Sequence, residues 1–301
     1  MRRLWINIVK GFLNLLLVFL ITTAVIYFLA RLFPGDTITV LYGEVNSLQD
    51  GRRILEAKLG LDKPLYIQLI SFWQKILVGD WGISIFAGKP VFDLVFQRYV
   101  NSLMLSFTAT LTTTAVCILL AYLSFTRRCQ RLTTLVASIS TSIPAALWGV
   151  ILMVALVLAK VSIPFGSIIM PLITLTIAGV GVFYTILKSL IDEALSEPFM
   201  AFYRAMGLTK SRLFLKALRY ALPMYITAVL YRMGLIIAGA VATETIFNYP
   251  GMGKLLIDAF ASRDYPVLLG WAVIISLTLA ALNITGDVMQ DILDPRVREL
   301  M

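Results

Sequence analysis

The chain has 301 residues, of which 59% are hydrophobic and only 14% charged, with a mean hydropathy of +0.87. Soluble domains carry about 25% charged and 45–50% apolar residues, so the composition excludes an ordinary water-soluble globule and indicates an integral membrane protein. The net charge of +9 admits nucleic acid, anionic lipid or inward-facing loops as its cause. The absence of histidine removes Ser-His-Asp and Cys-His nucleophiles, imidazole metal sites and the usual general base near neutral pH.

In chain order, residues 11–30 are free of Asp, Glu, Lys and Arg and follow Arg2, Arg3 and Lys10. The run reaches the roughly 20 residues of a spanning helix. It is too long for a signal-peptide core and lacks a small-x-small cleavage site, so it is expected to remain as a first helix. Residues 32–98 then carry breakers (Pro34-Gly35-Asp36, Gly79-Asp80, Gly88-Lys89-Pro90) and equal numbers of acidic and basic residues. Two stretches within them, 49–58 and 64–78, read as helices. In the second, Leu65, Leu69, Phe72, Trp73 and Ile76 repeat at helical spacing, as expected of a helix lying against the bundle or the membrane surface.

Four further charge-free runs follow at 99–126, 132–159, 161–187 and 265–286, and residues 223–247 are apolar except for Arg232 and Glu244. The pattern predicts six transmembrane helices. Pro144, Pro164 and Pro171 are expected at kinks or helix ends. Cys117 and Cys129 stand twelve residues apart, about 18 Å on a shared helix, too far for a disulfide.

The basic residues decide orientation. They gather before the first span (Arg2, Arg3, Lys10), between spans two and three (Arg127, Arg128, Arg131), between four and five (Lys188, Arg204, Lys210, Arg212, Lys216, Arg219) and after the sixth (Arg296, Arg298). The short loops of the opposite face hold Lys160, Lys254 and Arg263. Both termini are therefore expected in the cytoplasm, with 32–98 outside. The charge excess reads as membrane orientation, with no need for nucleic acid.

Arg232, Glu244 and Asp287 lie within or at the ends of spans five and six. A charge at the bilayer centre costs about 2.5–3.5 kcal/mol on insertion scales, so these are candidates for the lining of a translocation pathway or for structural pairing. Arg232 and Glu244, twelve residues apart on a straight helix, are too distant to pair with each other.

Between spans four and five, Ser196 is expected to cap a short helix whose first turn holds Glu197 and Pro198. Phe199, Phe202, Tyr203 and Met206 then fall on one apolar stripe, and Gly207 ends the helix. Such a helix either packs on its own bundle or enters a groove on a soluble partner.

The segment EPFMAFYRAMGL, Glu197 to Leu208, followed by Ala217-Leu218-Arg219 and Ala221-Leu222-Pro223, resembles the cytoplasmic coupling loop of binding-protein-dependent ABC importer permeases of the dipeptide, oligopeptide and nickel branch. So do LGLDKPLYIQ and GDWGIS in the external region, Ser142-Ile143-Pro144, ETIFNYPGMGKLLIDAF from Glu244, RDYPV from Arg263 and the closing LDPRVR. Two departures are Ala201-Phe202-Tyr203, where the family has charged or small residues, and Met206, at a place usually basic. The segment 160–171 is also shorter than the family's.

The resemblance implies an all-α, six-helix type I ABC importer permease, multi-pass in a bacterial or archaeal inner membrane. Its organisation would be an N-terminal helix (1–31), an external loop (32–98) and a five-helix core (99–301) with its coupling loop at about 191–222. Implied partners are a second homologous permease, two cytoplasmic ATPase subunits, an extracytoplasmic substrate-binding protein and the lipid bilayer. Glu197, Phe199, Phe202, Tyr203, Arg204, Ala205, Met206, Gly207 and Leu208 would form the ATPase-coupling loop. No catalytic or metal site is implied, and ATP and Mg would be used by the partner ATPases alone. The sequence agrees in lacking a phosphate-binding loop: Gly251-Met252-Gly253-Lys254 has Asn248 at the place of the first glycine and Leu255 after the lysine. The expected cargo is short peptides, with nickel or a metal chelate as the alternative. An ATP-independent secondary transporter is disfavoured, because no inverted repeat is visible.

Overall fold

The computed structural model describes residue 13, residues 15–28, and residues 63–293 apart from 128, 162 and 165. The expected helix at 49–58, the breaker at Pro34 and the closing motif after Leu293 lie outside the described residues. Eleven helices are described: α1 (Leu15–Phe28), α2 (Leu65–Leu77), α3 (Val91–Arg127), α4 (Gln130–Ser142), α5 (Ala145–Leu158), α6 (Ile169–Ser196), α7 (Pro198–Ala205), α8 (Lys210–Gly239), α9 (Val241–Ile246), α10 (Met252–Ala261) and α11 (Tyr265–Leu293). Among the described residues β pairing is confined to an isolated bridge between Ile83 and Pro90.

α3, α6, α8 and α11 are each long and apolar enough to cross a bilayer. α4 and α5 qualify only as a pair, and they meet at a 100° bend. The run 132–159 is thus a broken element where a single span was expected. The cause is Pro144: the ring disfavours helical dihedrals at the residue before it, and Ile143 is extended, with φ −106° and ψ 122°. Pro171, by contrast, sits in the first turn of α6, where its missing N–H is harmless. Span two also differs in extent, since α3 begins at Val91, ahead of the charge-free run.

The interior mixes large apolar side chains such as Leu105, Leu187 and Tyr184 with many small and hydroxyl-bearing ones, and large apolar side chains also cover much of the outside. Ala109, Ser102, Ser106, Thr113, Ala217 and Ala272 are buried, while Leu103, Met104, Phe107 and Leu111 of α3 are exposed. Hydrocarbon offers no hydrophobic drive between helices, so close backbone approach and hydrogen bonds hold such bundles together. The bonds are present: Ser106 Oγ donates to Met233 O at 2.9 Å, Thr112 and Thr176 hydroxyls meet at 2.8 Å, and Tyr184 donates to Thr133 Oγ1 at 2.8 Å. α8 is the central helix, packing on α3, α6 and α11.

The α2–α3 connection is pinned to the start of α11. Buried Asp264 accepts from the Ser84 hydroxyl and from the backbone N–H groups of Ile85 and Phe86.

Candidate functional site

Three places carry the candidate residues: the α6–α8 connection, the α6–α8 contact within the bundle, and the α8–α11 connection.

The first is built on α7. Ser196 is not its cap; it is the last residue of α6, and its hydroxyl turns back to Glu193 O at 2.7 Å. Glu197 takes the cap position in extended conformation, with Pro198 opening the helix. α7 ends at Gly207, whose φ of +74° only glycine adopts without penalty. There Gly207 N bonds Arg204 O at 3.0 Å and Leu208 N bonds Tyr203 O at 3.3 Å, the Schellman pattern that satisfies the last carbonyls.

The expected single stripe divides in two. Met200 is fully buried in the core shared by α3, α6 and α8, and Tyr203 and Leu208 pack against that core. Phe199 leans on Tyr220 with ring centres 5.2 Å apart, the Tyr220 hydroxyl donates to Glu197 Oε1 at 3.0 Å, and Lys216 Nζ sits 5.0 Å over the Tyr203 ring. Arg204 ties back to Leu195 O at 3.1 Å. Phe202 and Met206 are left pointing out, 64% and 61% exposed. The anchors Met200 and Tyr220 were not singled out from sequence, and Lys216 was counted only among the basic residues, although Met200, at i−3 from Tyr203, is the signal that the helix has a second apolar side.

The second place centres on Arg232, only 7% exposed. Its Nη2 donates to Leu175 O of α6 at 2.7 Å, and the guanidinium lies 4.8 Å above the Phe183 ring. No acidic side chain pairs with it among the described residues. Gly179 makes the room: a Cβ there would stand 2.1 Å from Arg232 Nη2. Elsewhere on these helices, α1, α6, α8 and α11 line an open groove of about 800 Å³ that Arg232 does not itself line, apolar along Leu17, Ile186 and Met224 and polar at Thr227, Tyr231 and Asn283.

The third place holds Glu244. α8 stops at Gly239, so Glu244 stands on the separate helix α9 and not on the span where the sequence put it. It is wholly buried. Its Oε1 accepts from Ser102 Oγ of α3 at 2.7 Å and its Oε2 from Lys254 N at 3.0 Å. Ser102 Oγ in turn accepts from Met252 N at 2.7 Å, Asn101 Nδ2 donates to Pro250 O at 2.8 Å, and the Tyr249 hydroxyl donates to Asn101 O at 2.9 Å. The carboxylate thus supplies an acceptor for the free amides at the start of α10. Burial pushes the Glu244 carboxyl above its ordinary value, and the bonds from Ser102 and the α10 amides hold it back. Asp287 lies on α11; its side chain is outside the described residues.

Four apolar helices of spanning length, a bent fifth element and a fixed polar-rimmed connection between two spans define a multi-pass helical membrane protein. Residues 114–299 match the family described as the binding-protein-dependent transport system inner membrane component, and residues 4–115 match the N-terminal family of the same membrane components. The chain belongs to this family. It is 30% identical to a probable peptide ABC transporter permease of Sinorhizobium fredii, over 91% of this chain and 93% of that protein. It is 28% identical to the dipeptide transport system permease of Escherichia coli, over 92% and 94%. A glutathione transport system permease of Salmonella paratyphi A is 29% identical over 97% and 98%.

Proposed function

We propose that this chain is the membrane-spanning permease subunit of an ATP-driven importer that admits short peptides handed over by an extracytoplasmic binding protein. The observation that carries the coupling part of this reading is the split face of α7. Met200, Tyr203 and Phe199 fix the helix to the bundle, and Phe202 with Met206 stands clear as an apolar knob. A knob held so firmly transmits displacement of a partner to α6 and α8 directly, because α7 contacts both.

In this reading the chain crosses a bacterial or archaeal inner membrane six times, with α1 and the α4–α5 pair completing the set and both termini in the cytoplasm. It pairs with a second homologous permease, and two cytoplasmic ATPases receive the α7 knobs. The chain itself hydrolyses nothing; ATP and Mg belong to the ATPases. Arg232 acts where α6 and α8 meet, and the groove offers the cargo a mixed apolar and polar wall. Asp287 stands toward the cytoplasmic end of α11, and Glu244 has the surroundings of a strut more than of a pathway wall. Peptides are preferred to nickel or a chelate because the similar permeases are named for peptide, dipeptide and glutathione transport.

The test is uptake by proteoliposomes holding the permease pair and the ATPases, with binding protein and labelled di- to pentapeptides outside. Accumulation that needs both ATP inside and the binding protein is expected. Uptake of the same peptides with neither would overturn the reading in favour of a secondary transporter.

A further inference from the structure

We propose that α6 is jointed at residues 177–181, and that the half of it leading into α7 turns together with α7 as one lever. The joint is a property of the packing; the load that α7 brings to it rests on the transport reading above.

The hydrogen-bond ladder of α6 is entered from outside at this level. The Ser140 hydroxyl of α4 donates to Ile177 O and accepts from Gly181 N at 3.1 Å. In an unbroken α-helix those two backbone groups bond each other, so the serine stands in the rung that joins one turn to the next. Gly181 leaves it room: a Cβ there would stand 1.9 Å from Thr141 Oγ1 and 2.4 Å from Ala137 O. Two more carbonyls of the stretch are held by other helices. Leu175 O accepts from Arg232 Nη2 of α8 at 2.7 Å, and Val180 O from Cys117 Sγ of α3 at 3.7 Å. A side chain inserted into the ladder is one of the few causes of a sharp helix bend. Inside a membrane such a break is tolerated where side chains satisfy the freed backbone groups, and Ser140 serves both ends of the rung.

The apolar packing divides at the same level. One buried cluster joins Cys117 of α3, Tyr184, Leu187 and Ile191 of α6 and Tyr225 of α8 to Met200 of α7. A second gathers Leu105 and Ala109 of α3, Leu175 of α6 and Ile236 of α8. Between the two stand buried Thr110 and Thr113 of α3, Gly179 and Gly181 of α6, and Arg232 of α8. α7 is thus packed with the half of α6 that leads into it, and a layer of hydroxyls, glycines and one guanidinium separates that block from the rest. Hinges are a few residues, often small, that absorb the change in backbone angles, and residues 177–181 fit that description.

Spin labels test this in the transporter assembled in nanodiscs, in the Cys129→Ser chain with buried Cys117 retained. Exposed Phe107 of α3 and Ile169 of α6 mark the block on one side of the joint, and exposed Val182 and Asp192 of α6 mark the lever. A bend of about 20° over the stretch from Gly181 to Asp192, about 16 Å long, moves Asp192 by about 6 Å. Between the nucleotide-free and vanadate-trapped states the Phe107–Asp192 distance is expected to change by several ångströms, while Phe107–Ile169 and Val182–Asp192 stay fixed. Ser140→Ala lets Gly181 N bond Ile177 O directly, and the change is expected to shrink several-fold with the ATPases still bound. An equal change in Phe107–Ile169 overturns the proposal, because α6 then tilts as a rod. A change in Val182–Asp192, no change in any pair, or a full change in Ser140→Ala also overturns it. Should Ser140→Ala fail to assemble, the three distances in the parent chain decide. Failure of the unlabelled chain to bind ATPases counts against the transport reading instead, and the joint is then judged in the permease alone. There a Phe107–Asp192 distribution that Ser140→Ala narrows supports the joint, and one equally wide in both chains overturns it.

Discussion

The two ends of the bundle solve the same problem, a short helix between two spans, in opposite ways. At one end α9 and α10 are fastened by the buried carboxylate of Glu244, which reaches Ser102 and the amide of Lys254, and the α2–α3 connection is fastened to the start of α11 by that of Asp264, which collects Ser84, Ile85 and Phe86. At the other end α7 is fastened by an apolar anchor and ring contacts, and its two most exposed large side chains are apolar. Polar fastening leaves nothing for a partner to take. Apolar fastening from one side leaves the other side of the helix free to dock. In the proposed reading the first end serves as a strut and the α7 end as a connector.

The largest effect is expected where the strut is cut. Glu244→Ala leaves Ser102 and the start of α10 without their acceptor and should cost about 2–4 kcal/mol, read as a fall in the melting temperature of the solubilised complex. The matching change at the connector, Phe202→Ala, should stay within about 0.5 kcal/mol. Equal losses at the two sites would erase the contrast.

Next in size is the contact between them. Gly179→Ala pushes a methyl into the Arg232 guanidinium and should cost about 1–3 kcal/mol. Adding Arg232→Ala should recover part of that loss, a coupling that only touching residues show. Strict additivity would mean that Arg232 does not occupy the Gly179 notch. A smaller loss than those at Glu244 and Gly179 is expected on the fastened side of α7. Tyr220→Phe removes the bond to Glu197 and should cost about 0.5–1.5 kcal/mol, with ATPase binding weakened less than by any change to Phe202.

Much of this architecture is legible in the chain. Charge-free runs of spanning length mark the long helices because hydrocarbon tolerates little else, and the short helix before Gly207 follows from Pro198 and the glycine alone. Three features escaped that logic. The 100° bend at Pro144 was legible as a proline but not as an angle, which depends on how α5 packs on α6. Glu244 looked like a charge inside a span because the apolar run continues past Gly239, whereas the chain breaks there and folds the carboxylate over α10. The division of the α7 stripe turned on Met200, which the spacing within α7 could have shown, and on Tyr220, which lies on α8, so no periodicity within the short helix could reveal that contact.

The central claim, that α7 is the connector to the ATPases, is tested most directly by the affinity of the purified ATPase pair for the permease carrying Phe202→Asp. The account predicts loss of co-purification with the melting temperature of the permease little changed, since Phe202 is 64% exposed and its ring contact is with the adjacent Tyr203. Full retention of ATPase binding by a correctly folded Phe202→Asp permease would contradict it.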